Sequence, residues 1–356
     1  MMSRISDSID AVRPYWDAFW SGATPMLCAT LPKDPARPVP KPPLGITAET
    51  DLDALAADLL RWEEATIFLG GALPFYCVYL FDGYNLVGEF LGGEVRRCGD
   101  STHMVPFVTD LDAAELAFNA AAPVAERLRN ITMQLRERCG DRVLISASAL
   151  AANLDTLEAV RGSMQLLMDM EDNPQGVHRC LAQIDAAAAQ VLEFQSKLYD
   201  FDTFGSVCRH GLYSRGRVGV PQCDFGYMIG PERFRDFAMP YLRQEFARLN
   251  GVCYHLDGIG NLPNLEMLCG EPNLHVIQWV AGVGHYEEDW TWLWEKVDAL
   301  GKGQMRRGSV RDFEHWYAKH TSPWQYWIIS DSTPDEVAAC LHNIRVHNRT
   351  ISTRER

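Results

Sequence analysis

The chain has 356 residues, 47% of them hydrophobic and 22% charged, which suits one large α/β domain and excludes a disordered chain. With 33 Lys and Arg against 47 Asp and Glu, the net charge is −14, and no basic stripe interrupts it, so nucleic acid is not an expected partner. No apolar run is long enough to span a membrane, the first residues carry no apolar signal core, and the ten cysteines are scattered without C-x-x-C; these features predict a cytoplasmic protein with reduced thiols.

In chain order, residues 1–50 form an N-terminal helical and proline-rich extension that ends in PKDPARPVPKPPLGI (32–46). Each proline pushes the preceding residue to extended backbone, so this stretch reads as an ordered arm over a surface or as a mobile flap. Strand-like runs rich in Val, Ile and aromatic residues follow at 26–30, 73–80, 105–108, 142–148, 204–208, 251–256, 275–280 and 324–330. Helical patterns lie between them at 50–69, 111–140 with a break at Pro123, 173–200, 230–250, 291–301 and 333–348. This alternation predicts a single (β/α)8 TIM barrel over residues 1–356, with the 1–50 arm packed on it. A doubly wound sheet is the alternative, but its glycine-rich phosphate turn is missing.

Barrel chemistry sits where strands end. In VCYHLDG (252–258) the period of two puts Cys253, His255 and Asp257 on one face and Val252, Tyr254 and Leu256 on the other. Three groups able to ligate a metal or move protons therefore share a strand end; a lone His would instead read as a hydrogen-bonded core residue. In PQCDFGY (221–227), Cys223 and Asp224 either overhang the mouth or cap a turn. YLFDGYN (79–85) offers Asp82 and Tyr84, although Asp-Gly is first a turn signal. SVCRHGLYSRGR (206–217) carries Arg215 and Arg217, which would anchor an anionic substrate or simply be solvated. Gln278 and Trp279 in IQWVAGVGH would supply a hydrogen bond and a hydrophobic wall. In IISDST (328–333) one of Asp331 and Ser332 would cap the last helix while the other faces the pocket.

Several of these motifs occur in a linked order: residues 67–108, LDTLEAVRG (154–162), QCDFGYMIGPERFRDFAMPYLR (222–243), YHLDGIGNLPNLEML (254–268) and IQWVAGVG (277–284). Together they resemble the uroporphyrinogen decarboxylase-like superfamily, in the branch with YHLDG and IQW signatures, over about residues 20–345. The resemblance implies a (β/α)8 barrel and one of two chemistries. Decarboxylases of that superfamily hold substrate carboxylates with an arginine-rich N-terminal signature, where this chain has ATLPKDPARPVP (29–40). The other members move a methyl group between a corrinoid protein and a thiol or folate, and the thiol users bind zinc through H-x-C and a later Cys. Here His255 matches, but Asp257 replaces the Cys, and the last strand reads SDST (330–333).

The resemblance therefore implies a methyltransferase with His255, Asp257, Asp224 and Tyr84 at its centre. Asp82, Arg215, Gln278, Trp279 and Asp331 would line the substrate site. A zinc ion would sit on His255, Asp257 and Cys223, or the site would work without metal. The methyl carrier would be methylcobalamin on a separate corrinoid protein or a folate, since no cobalamin-binding D-x-H-x-x-G occurs; a homodimer is also compatible with the family. Two other readings stay open here. One is a decarboxylase or lyase for a small carboxylate, with Arg215 or Arg217 as anchor; the other is a catalytically silent binding barrel.

Overall fold

The computed structural model describes residues 4–80, 85–98, 101–148, 150–320 and 322–354. Its strands in chain order are β1 (Met26–Pro32), β2 (Thr66–Gly70), β3 (Phe75–Cys77), β4 (Val95–Cys98), β5 (Ser101–Met104), β6 (Leu144–Ser146), β7 (Ser206–Val207), β8 (Tyr213–Ser214), β9 (Val218–Gly219), β10 (Gly251–Asp257), β11 (Val276–Val280), β12 (Gly303–Gly308) and β13 (Tyr326–Ile329). Seven of them join in the order β2-β1-β13-β12-β11-β10-β9. Every neighbouring pair is parallel except β1 with β2. The result is a mixed α/β half-barrel, with helices between successive parallel strands, as right-handed crossovers require. β3 pairs in parallel with β6 as a separate two-stranded sheet.

Several sequence expectations shift. The 50–69 helix stops at Glu64, capped at its start by Asp51, whose carboxylate accepts from the backbone N–H groups of Asp53 and Ala54. Its end is taken by β2, since Thr66, Ile67 and Phe68 suit a pleated edge better than a helix. VPFV (105–108) is irregular: Pro106 has no N–H to give to a ladder, and Phe107 and Val108 donate instead to the Val160 carbonyl. The 111–140 helix begins only at Pro123, which occupies its first turn. Strand β12 and the helix Val310–Tyr317 add to the elements expected from the sequence pattern.

Burial follows the alternation read from β10. Val252, Tyr254 and Leu256 enter the large apolar layer under the helices, while Cys253 enters a second cluster with Val276 and Tyr326. The helix Ile5–Trp20 seals that second cluster with Trp16 and Phe19, both fully buried. It lies at the N-terminal strand ends: Trp16 Nε1 donates to Gly71 O at 3.0 Å, and the Trp20 ring meets His275 edge-on at 5.3 Å. Trp324, just before β13, donates to the Trp20 carbonyl at 3.0 Å. The proline-rich arm lies at the opposite ends of the strands, where Tyr76 donates from its hydroxyl to Pro43 O at 3.1 Å. Residues 33–50 form no helix. The nine cysteines with described side chains are free and buried, and no helix among the described residues is long and apolar enough to cross a membrane.

Candidate metal and acid–base site

Parallel register aligns His255 of β10 with Gln278 of β11. On the other side, Gln222 forms a parallel bridge with His255, and the His255 N–H donates to Pro221 O at 2.9 Å. The His255 backbone is therefore held between β11 on one side and the Pro221–Gln222 segment on the other. Its Nδ1 is hydrogen-bonded to the Gln278 side-chain oxygen. An amide oxygen only accepts, so Nδ1 carries the proton and Nε2 presents its lone pair. Nε2 lies 3.7 Å from Asp257 Oδ2. One ligand atom from each of Asp224, His255 and Asp257 lies within 4.8 Å of the others. The sequence-derived set of His255, Asp257 and Asp224 is thus brought together in space.

Cys223 is not. It is 1% exposed and packed in the large apolar layer, where burial and the charge of Asp155 push its thiol well above the usual range. Cys223 immediately precedes the short turn that begins at Asp224; Cys223 packs into the core while Asp224 joins His255. The carboxylate at Asp224 therefore takes the place expected of the thiol.

Asp224 is set in place by groups that local sequence patterns do not reveal. Its backbone N–H and that of Phe225 donate to the Asp155 carboxylate at 3.0 and 2.9 Å, which starts the short turn Asp224–Met228. Burial, reinforced by the Asp224 charge, raises Asp155 to about 7. Gln222 donates from Nε2 to Asp224 Oδ2 at 2.8 Å, and Asn153 holds the Gln222 carbonyl at 3.0 Å. Asp155 lies within LDTLEAVRG (154–162), the one signal that pointed towards it.

The remaining sequence candidates disperse. Gln278 is hydrogen-bonded to His255, and Trp279 packs on the large apolar layer and meets Trp290 edge-on at 5.0 Å. Arg215 is exposed and pairs with Asp17 of the N-terminal helix at 2.9 Å, and Arg217 pairs with Glu193 at 2.6 Å. Neither anchors a substrate at this site, because each already faces a carboxylate nearly 200 or 24 residues away in sequence. Asp331 is exposed in a separate cleft with Ser309, Ser332 and Glu336. The helix after it is capped by Thr333, whose hydroxyl accepts from the Glu336 N–H at 3.3 Å while Glu336 accepts from the Thr333 N–H at 2.8 Å. Asp82 and Tyr84 lie outside the described residues.

Asp224 and Asp257 also border an open cavity of about 390 Å³. Around it stand exposed apolar side chains, with Val283 91% and Tyr227 54% accessible. Large exposed apolar side chains grouped around polar ligands are a recognised feature of partner surfaces.

No protein-family model matches the chain, and no curated protein matches it. Its fold is similar to that of a methyltransferase from Methanosarcina mazei. That solved structure aligns with a TM-score of 0.50 at 13% identity, covering 83% of this chain and 84% of the other. At this identity the likeness is one of fold, since unrelated chemistries share α/β barrels. It agrees with the half-barrel described above and carries no residue role across.

Proposed function

We propose that this chain is a methyltransferase whose centre is the Asp224–His255–Asp257 cluster, with a divalent cation such as zinc held by those three side chains. The observation that carries this reading is their convergence within 4.8 Å from strand β10 and the separate Asp224–Met228 turn. Two carboxylates at that spacing repel each other, and Asp155 adds a third acidic group behind Asp224. A cation offsets that repulsion, and one imidazole with two carboxylates is a donor set that zinc accepts. Fold likeness to a methyltransferase and the resemblance of the YHLDG and IQW motifs support the reaction class. The half-barrel also reads as most of a closed (β/α)8 barrel, because Ser146 of β6 donates from its hydroxyl to Val207 O of β7 at 2.9 Å.

Zinc bound there would act as a Lewis acid that lowers the pKa of an acceptor heteroatom. The chain's own groups have definite tasks. Gln278 fixes the His255 tautomer, Asp155 and Gln222 fix Asp224, and Asp257 is partly exposed beside His255 Nε2, so that the centre opens to solvent. In the transfer, the acceptor's lone pair bonds to the methyl carbon. The bond between that carbon and its carrier breaks, with both electrons staying on the carrier, and the acceptor proton passes to solvent water. A corrinoid on a separate protein or a folate would be the carrier, and the exposed apolar rim at Tyr227 and Val283 suits the separate protein. The decarboxylase reading loses its anchors, since Arg215 and Arg217 are committed to Asp17 and Glu193.

The test is methyl transfer by zinc-loaded protein from methylcobalamin and, separately, from 5-methyltetrahydrofolate to thiol and phenol acceptors, followed by mass spectrometry. Transfer from one carrier, lost in His255→Ala, is expected. Absence of transfer from both carriers to every acceptor would overturn the reaction class and leave a silent binding barrel.

A further inference from the structure

A second cavity, of about 370 Å³, opens between the proline-rich arm and strands β1, β12 and β13. Among the described residues its lining contains Lys41, Arg209 and Arg307 but no Asp or Glu, in a chain whose net charge is −14. Several arginines elsewhere are matched with acids, as Arg161 is with Asp169 at 2.7 Å and Arg142 with Glu63, whereas Arg306 stacks on the Trp316 ring. Here the cations have other neighbours. Lys41 Nζ stands 3.5 Å from the centroid of the Phe75 ring and 5.1 Å from that of Trp62, and burial pushes it down to about 8. Arg209 donates to two neutral groups, His210 Nε2 at 3.3 Å and Gln222 Oε1 at 3.5 Å. Burial and the adjacent Arg209 push His210 down to about 3, so it adds no proton of its own near neutral pH. Among the described residues, no carboxylate lies within ion-pair distance of Arg307.

Cations gathered in a partly dry cavity without counter-charge raise the free energy of the empty site, and an anion offsets that cost. Trp62, Phe75 and Tyr326 supply apolar walls, and the arginines supply planar forks that match a carboxylate. Arg209 further ties this cavity to the metal site, because Gln222, which accepts from it, donates in turn to Asp224. We propose that this cavity binds a small carboxylate with an apolar body, and that such an acid is the substrate class of the methyl-transfer site, a step that rests on the function proposed above.

Binding can be tested without metal or turnover, so failure here and failure of the methyl-transfer reading remain separate results. Chelator-treated full-length protein is titrated calorimetrically at pH 7 with benzoate and with its neutral analogue benzamide. Benzoate is expected to bind at least about tenfold more tightly than benzamide. Lys41→Met and Arg307→Met should each weaken benzoate about fivefold or more, and Lys41→Arg should restore it. Benzoate affinity should also fall as pH rises past 8 in the wild type, where Lys41 loses its charge, and change less in Lys41→Met. Melting curves confirm that each variant is folded. Equal affinity for benzoate and benzamide, no benzoate binding, or benzoate affinity unmoved by both methionine substitutions would overturn the proposal.

Discussion

Replacing Gln278 by Leu removes the only described side chain hydrogen-bonded to the His255 ring while nearly keeping the volume of a residue that is 8% exposed. Without that acceptor, the proton is free to move to Nε2, the atom that faces Asp257 and would hold the cation. The ring can also turn, since its other contacts are backbone bonds that do not fix its plane. Loss of such a supporting hydrogen bond typically lowers metal affinity about 10- to 100-fold, or about 1.4–2.7 kcal/mol. The assay is a zinc titration against a chromophoric competitor at pH 7.5, with thermal melts to check folding. Gln278→Glu, which keeps an accepting oxygen, should bind zinc at least as tightly as the wild type. If Gln278→Leu binds zinc with wild-type affinity while His255→Ala does not bind, the tautomer reasoning is refuted even though the ligand assignment stands.

Further predictions concern the scaffold. Burial, with Asp185 and Asp155 nearby, raises Glu245 from 4.5 to about 8. The folded state therefore binds this proton more tightly than the unfolded chain, and stability is fully present below pH 4.5 and lost as pH rises to about 8. Glu245→Gln should flatten that decline in thermal melts recorded from pH 5 to 9; parallel wild-type and variant profiles would show that the carboxyl carries no such cost. Trp16→Ala removes a fully buried ring and its bond to Gly71 at the N-terminal strand ends. It should cost about 3–5 kcal/mol in urea unfolding, whereas a loss below about 1 kcal/mol would mean that the helix Ile5–Trp20 is dispensable to the core.

The sequence was most informative where one strand carries the signal. The period of two along 252–257 placed His255 and Asp257 on one face and Tyr254 and Leu256 on the other, and the packing agrees. It was least informative where pairing spans the chain. Asp155 reaches Asp224 across 69 residues and Arg215 reaches Asp17 across 198, and no local periodicity encodes either partner. Gln278 was legible as a polar residue at a strand end, but its partner follows from the β10–β11 register, which only the folded sheet fixes. Cys223 and Asp224 are adjacent, so choosing between them requires knowing how the chain enters the Asp224–Met228 turn. Lys41 sits in a proline-rich arm whose composition foretells extended chain and says nothing of the cavity beneath it.

The most direct measurement is anomalous diffraction at the zinc edge from crystals grown with a stoichiometric amount of zinc. A strong peak bounded by Asp224, His255 and Asp257, absent from His255→Ala crystals, is the predicted result. Zinc-loaded crystals with no peak among these three side chains, or with the ion seated elsewhere, would contradict the assignment of the centre.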